Sequence, residues 1–103
     1  MPLHALDHYT VKTTDVEATA RFYEDVFGME RGPMPELDFP TLWLYAGNKP
    51  VLHIVERDEV TKTDSGLIDH VAFRATDYSG IKAKLDARDI EFQEQCLPQI
   101  GLH

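Results

Sequence analysis

The chain has 103 residues, about one domain, and 43% of them are hydrophobic while 27% are charged. These proportions are typical of a soluble protein and exclude a disordered or fibrous chain. The net charge of −8 disfavours binding to nucleic acid or to anionic membranes, and no apolar run approaches the roughly 20 residues that span a bilayer. The single cysteine, Cys96, cannot form an internal disulfide, so we expect a cytoplasmic location.

The first predicted element is a strand over residues 3–12. Side chains alternate between the two faces of a strand, so His8 shares one face with Thr10 and Lys12. Asp7, Tyr9 and Val11 lie on the other face. The bulky apolar side chains therefore point away from His8, toward the helix that follows.

Asp15 stands where the N-cap of that helix belongs, because its carboxylate can accept from the free amides of the first turn. Apolar residues spaced by four, three and four positions then predict one face of a helix: Val16, Ala20, Tyr23 and Phe27. Gly28 is the residue type that commonly ends helices in the left-handed conformation. A strand followed by a helix is the prediction.

Three further strands are predicted in the first half, at 29–32, 41–46 and 50–56, separated by prolines and turn residues. The first module, about 1–57, thus has the order β-α-β-β-β. A polar stretch without periodicity follows, and we interpret it as a connector at about 58–66.

The second half repeats the first, because the Leu-Asp-His of residues 6–8 recurs 62 positions later as Ile-Asp-His. The repeat predicts a strand over 67–75, a helix capped by Asp77 and a strand over 90–96. The apolar face of this helix consists of Tyr78, Ile81 and Leu85. A full copy would need more residues, so the second module, 67–103, is expected to be truncated. The predicted fold is α+β: paired βαβββ modules in a single domain, 1–103.

The two repeated histidines, His8 and His70, are predicted on the polar faces of equivalent strands, which would form a cup if they faced each other. His53, in the last strand of the first module, is placed to reach the same cup. Neutral imidazole is a good ligand for divalent transition metals, and three protein ligands leave positions open for catalysis. A lone strand histidine is more often a hydrogen-bonded, partly buried residue, but the repetition favours metal ligation.

These features resemble the vicinal oxygen chelate superfamily. They are the two Asp-His motifs, the Thr-Asp pairs before each helix, Arg21-Phe22-Tyr23 and Phe27-Gly28-Met29. This group includes glyoxalase I, bleomycin and fosfomycin resistance proteins, methylmalonyl-CoA epimerase and extradiol dioxygenases. The resemblance implies a divalent metal (Ni, Zn, Fe, Mn or Co), a small-molecule substrate and a homodimer.

The resemblance also assigns individual ligands. His8 matches the ligand of the first strand, His70 that of the fifth, and His53 the fourth-strand position, which is a glutamate in glyoxalase I. The remaining family ligand is a glutamate of an eighth strand, which this sequence does not contain, and Glu91 and Glu94 do not match it. A truncated chain, a carboxylate from elsewhere and an incomplete site are the alternatives, and no catalytic base is assigned.

The leading hypothesis is a metal-dependent glyoxalase-like lyase or isomerase, because a fourth-strand ligand such as His53 is used in that branch. An Fe(II) extradiol-type dioxygenase and a non-catalytic drug-binding protein of the bleomycin-resistance kind are the alternatives. Trp43 and Tyr45 are predicted to line the substrate cup, and Arg74 to meet an anionic group of the substrate. Strand packing and surface exposure are the ordinary roles of such residues.

Overall fold

A computed structural model of the chain describes residues 2–60 and 70–94. The chain divides into two compact units, Met1–Phe73 and Arg74–His103. The α+β class predicted from the sequence is confirmed. In chain order the elements are β1 (Tyr9–Thr13), α1 (Val16–Phe27), β2 (Glu30–Arg31), β3 (Thr41–Ala46), β4 (Lys49–Glu56) and α2 (Tyr78–Ala87).

The described strands form one sheet with the order β1-β4-β3-β2. β4 pairs in parallel with β1, where Thr10 lies opposite His53. It pairs antiparallel with β3, where Trp43 lies opposite His53. The β-α-β-β-β order predicted for the first module is therefore present, and a row of Thr10, His53 and Trp43 crosses three strands.

The start of α1 is fixed by two carboxylates. Asp15 accepts a hydrogen bond from the Ala18 amide at 3.1 Å, and Glu56 of β4 accepts one from the Val16 amide at 3.1 Å. Both bonds satisfy amides that the helix itself leaves without partners, and both place negative charge at the positive end of the helix dipole. Gly28 ends the helix with φ of 71°, the left-handed conformation predicted from the sequence.

The hydrophobic core lies between α1 and one face of the sheet. Its buried side chains are Val16, Ala20, Met29, Leu44, Leu52 and Ile54. The helix face differs from the prediction at its end, where Val26 is buried and Phe27 is 43% exposed. The Phe27 ring instead packs against Phe22 and Tyr23, with centroids 5.7 and 6.0 Å apart, so it caps the end of the helix outside the core.

The strands predicted in the second half differ from the structure. Residues 70–75 and 90–94 form no strand, and the rest of both predicted segments lies outside the described residues. A strand needs a neighbouring backbone to satisfy its N–H and C=O groups, and no described strand pairs with 70–75. Val71 and Phe73, which alternate as a strand requires, are about half exposed. Alternation without a partner strand therefore does not produce a sheet.

The helix predicted after Asp77 is present as α2. The Asp77 carboxylate accepts from the Gly80 amide at 3.3 Å, but none of the α2 residues is buried. Of the predicted connector only 58–60 are described, and they form neither helix nor strand, so the module boundaries stay a prediction. Neither described helix has the length and apolar character needed to cross a membrane.

Arg31 of β2 joins two acidic side chains of α1. Its Nη1 and Nη2 donate to the Glu17 carboxylate at 3.0 and 2.8 Å. Its Nε and Nη2 donate to the Glu24 carboxylate, both at 3.1 Å. Such two-pronged, charge-assisted bonds are geometrically specific, and the guanidinium holds the pKa of Glu17 below its usual range.

We expect Arg31→Gln to destabilise the protein at neutral pH and to lose that effect in acid. The pKa of Glu17 is lower in the folded than in the unfolded state, where it is about 4.3. The stabilisation is therefore present above the unfolded value and disappears as the pH falls through the folded value. Urea unfolding at about pH 7 and about pH 3 measures the difference. Lys12→Gln, which removes a positive charge from the opposite sheet face, is the control. An Arg31→Gln effect of equal size at both pH values would contradict the assignment.

Candidate metal and substrate site

The face of the sheet opposite α1 carries three aromatic side chains in contact. The His53 imidazole lies 3.7 Å from the His8 ring, centroid to centroid, with the planes 15° apart. On its other side the Trp43 indole lies at 3.9 Å with the planes 6° apart. We call His8, His53 and Trp43 the ring stack. It forms because His53 and Trp43 are directly opposite on paired strands and His8 immediately precedes β1.

The ring stack keeps His53 neutral. Burial lowers the pKa of His53 below its usual value, and the neighbouring His8 ring adds to the effect. Burial disfavours the charged form of a histidine, because the cation loses hydration that the neighbouring rings do not replace. At neutral pH the imidazole therefore keeps a free nitrogen lone pair, as a metal ligand requires.

Each histidine of the stack has one ring nitrogen tied by a hydrogen bond. A backbone carbonyl can only accept, so Nε2 of His53 donates to the Pro50 carbonyl at 3.1 Å. Nδ1 of His8 donates to the Asp7 carboxylate at 2.7 Å, and this bond holds the pKa of Asp7 below its usual range. In the neutral rings the remaining nitrogens, Nε2 of His8 and Nδ1 of His53, carry the lone pairs.

Asp7 is a site residue that sequence reasoning placed on the wrong face. Strict alternation puts it opposite His8, but β1 begins only at Tyr9. Before the strand begins, alternation does not apply, and the carboxylate is free to turn back to its neighbour. A carboxylate on the second nitrogen of a ligating histidine fixes its tautomer and raises its basicity. The recurrence of Asp-His in both halves was the signal for it.

The two histidines fit a divalent cation by chemistry, although their rings do not converge in the stack. A zinc ion binds imidazole at about 2.0–2.1 Å, along the lone pair in the ring plane. The His8 and His53 ring planes are nearly parallel, and their centroids are 3.7 Å apart. An ion at bonding distance in the plane of one ring therefore cannot also lie in the plane of the other. Chelation by both residues therefore requires one ring to leave the stack.

His70 is the third predicted ligand. His70 is exposed, and the part of the chain that the structure describes has no group of three or more His, Cys, Asp or Glu placed to hold a metal ion. The three-histidine site of His8, His53 and His70 therefore stays a prediction.

Comparison with known proteins identifies the family. The sequence model of the Glyoxalase/Bleomycin resistance protein/Dioxygenase superfamily matches residues 5–96. The chain belongs to this superfamily. No curated protein matches the chain.

A similar solved structure is the fosfomycin resistance protein FosX from Listeria monocytogenes, with a TM-score of 0.66 and 16% identity. The match covers 93% of this chain and 78% of that chain, and at this identity it shows the fold. That structure is of the E126Q mutant, complexed with Mn(II) and 1S,2S-dihydroxypropylphosphonic acid.

The three residues predicted to bind substrate, Trp43, Tyr45 and Arg74, have different surroundings in this superfamily member. Tyr45 is half-buried, and its hydroxyl donates to the Pro33 carbonyl at 2.6 Å. Its ring covers Gly32, where an added Cβ would come within 2.5 Å of the ring, so Tyr45 anchors the proline-rich segment after β2. Trp43 belongs to the ring stack, and Arg74 is exposed at the start of the second compact unit. Substrate contacts by all three residues stay predictions.

Proposed function

We propose that this superfamily member is a metal-dependent glyoxalase-like lyase or isomerase. Its substrate would be a small molecule that reaches the metal through two adjacent oxygens. The observation that carries the proposal is the contact between two imidazoles, His8 and His53, on the sheet face opposite α1. We propose His70 as the third ligand, as the superfamily resemblance implies, in a homodimer.

The comparison with FosX supports the choice of a divalent metal. That protein holds Mn(II) together with a compound that carries hydroxyls on neighbouring carbons. Imidazole nitrogens suit zinc, iron and nickel, whereas manganese prefers oxygen ligands, and metal availability decides among them as much as affinity does. We therefore propose a divalent transition metal without assigning one.

Hydrogen bonds select which ring nitrogen of His8 and of His53 is free to bind a metal. Asp7 selects the tautomer of His8 in which Nε2 is the free donor, and the Pro50 carbonyl selects the tautomer of His53 in which Nδ1 is free. The lowered pKa of His53 keeps it deprotonated at neutral pH. A divalent cation at these donors supplies Lewis-acid stabilisation of the negative charge that develops on the substrate oxygens.

Elemental analysis of protein purified without a chelator or affinity tag tests the proposal. We expect bound transition metal, and a metal-stripped sample should gain about 2.7 kcal/mol of unfolding free energy when Zn²⁺, Ni²⁺ or Mn²⁺ is added at 100 times its dissociation constant. Mg²⁺, which prefers oxygen ligands, is the control. Metal-free protein whose stability ignores every transition metal would overturn the proposal.

The reaction is tested by exchange of a carbon-bound proton for deuterium in small α-hydroxycarbonyl compounds. Exchange that depends on the added metal supports the lyase or isomerase. Oxygen uptake with catechols in the Fe²⁺-loaded protein would instead support a dioxygenase. Metal binding without either reaction would contradict an enzymatic function.

The ring stack favours one second candidate, a binding-only protein for aromatic cations. The face of an indole such as that of Trp43 attracts cations, and the net charge of −8 concentrates them near the surface. Calorimetric titration of metal-free protein with a panel of cationic aromatic compounds would show binding. No heat across the panel would contradict this candidate.

A further inference from the structure

The sheet ends at β2, which has two residues and, among the described strands, a neighbour on one side only. The backbone groups on the outer side of such an edge can pair with a strand of another chain. The segment after β2 adds to this hazard, because three of its apolar side chains are 36–45% exposed: Met34, Leu37 and Phe39. Two copies of the chain could therefore join at this edge.

The direction of the backbone hydrogen bonds can be followed from β4 outward. The Glu56 amide donates to the Pro40 carbonyl at 3.0 Å, so Pro40 directs its backbone groups toward β4. In an antiparallel pair this direction alternates from one residue to the next. Tyr45 lies an odd number of residues later, on β3. Its backbone groups are therefore directed the other way, toward β2.

The same alternation shows which groups of β2 face outward. Glu30 lies opposite Tyr45, so its backbone groups bond to β3, whereas those of Arg31 face away from the sheet. Continued beyond the end of β2, the alternation directs Pro33 and Pro35 outward as well. Proline has no N–H, so at both positions the outer edge lacks the donor that a further strand would need. Within sheets, proline is tolerated at such edge positions.

The Tyr45 side chain occupies an acceptor at the same edge. Its ring lies across Gly32, where an added Cβ would come within 2.5 Å of the ring. Its hydroxyl then reaches the Pro33 carbonyl, to which it donates at 2.6 Å. The ring can cross the chain here because Gly32 has no side chain. The carbonyl of Pro33 thus already has a donor from within the same chain.

We propose that Pro33, Pro35 and the Tyr45 hydroxyl close the outer edge of β2, and that the partner they exclude is a second copy of this chain pairing edge to edge. An approaching strand would bury carbonyls that find no donor, and an unsatisfied buried polar group is costly. This inference is independent of the proposed metal site. The homodimer proposed above would form through another surface.

The double substitution Pro33→Thr/Pro35→Thr tests the proposal, because threonine supplies the missing N–H groups and favours strands. Sedimentation equilibrium of the full chain over a range of concentrations measures self-association. We expect the variant to form larger assemblies than the wild-type protein and to reach them at concentrations lower by about 10-fold or more, since each added hydrogen bond strengthens pairing severalfold.

Two further variants separate the backbone donors from other effects. Met34→Thr places the same strand-forming side chain between the two prolines without adding a donor, and it should associate as the wild-type protein does. Tyr45→Phe removes the hydroxyl that occupies the Pro33 carbonyl, and it should strengthen association by less than the double substitution does. Hydrogen exchange of the Arg31 amide, which faces outward, locates the contact. We expect this amide to become protected at high concentration in the double variant alone.

The outcomes decide the proposal in each case. A folded double variant that associates no more than the wild-type protein would overturn it, as would an equal increase in Met34→Thr. Protection of the Arg31 amide in wild-type assemblies would show that this edge is an open interface, which also contradicts the proposal. If the double substitution unfolds the chain, Tyr45→Phe decides, and association unchanged from the wild type would then overturn the proposal.

Discussion

Replacing Leu52 by alanine is expected to lower the free energy of unfolding by about 2–5 kcal/mol. Leu52 is completely buried on β4, which has a neighbouring strand on each side, and it lies between Tyr9 and Leu44 across the sheet. Its side chain faces α1, so alanine would leave a cavity walled by two strands and a helix. Small domains have only about 5–15 kcal/mol of stability in total, so the loss is a large fraction.

Urea unfolding measures this effect, with Leu6→Ala as the matched control. Leu6 is 78% exposed, so the same change of side chain there should alter stability by no more than about 0.5 kcal/mol. The two variants should have similar m-values and well-separated midpoints. Coincident midpoints would show that the core does not lie where the structure places it.

The first module was predictable because its signals are local. Asp15 and Gly28 each act within one helical turn, through the cap hydrogen bond and the left-handed backbone. Gly47 begins the two-residue loop between β3 and β4 with φ of 64°, a conformation that favours glycine. Each of these residues determines the backbone next to it, so a linear reading of the sequence finds the element.

The second half was harder to predict because strands depend on distant partners. The alternation of Val71 and Phe73 is a genuine strand pattern, yet residues 70–75 have no strand beside them in the described chain. The helix after Asp77 needs no such partner and forms as predicted. Local capping was readable from the sequence, whereas pairing across the chain was not.

The ring stack depends on register, which periodicity does not determine. Periodicity puts His53 and Trp43 on their strands, but only the pairing of β3 with β4 puts them directly opposite. That pairing includes a register shift between Leu44 and Ala46, which the residue types do not predict. The sequence therefore predicted the members of the candidate site without predicting that two of its histidines stack.

Single histidine substitutions should separate the ligands from the remaining histidines. His8→Ala, His53→Ala and His70→Ala are each expected to weaken Zn²⁺ binding by more than about 100-fold, because losing a ligand costs more than losing an orienting residue. His4→Ala is the matched control, since His4 is exposed near the chain start and has no proposed role. Calorimetric titration of metal-stripped protein measures the affinities.

His70 is the most informative of these positions, because His8 and His53 are in contact while the described residues contain no group of three or more side chains that could hold a metal ion. A large loss in His70→Ala would mean that the chain rearranges around the ion to complete a three-histidine site. An unchanged affinity would show that His70 is not a ligand and would leave His8 and His53 as the histidine ligands. A His4→Ala loss as large as that of His53→Ala would indicate non-specific binding and contradict the site altogether. Zinc is a suitable probe because it accepts imidazole readily and imposes little geometric preference of its own, so the result reports the arrangement of the protein.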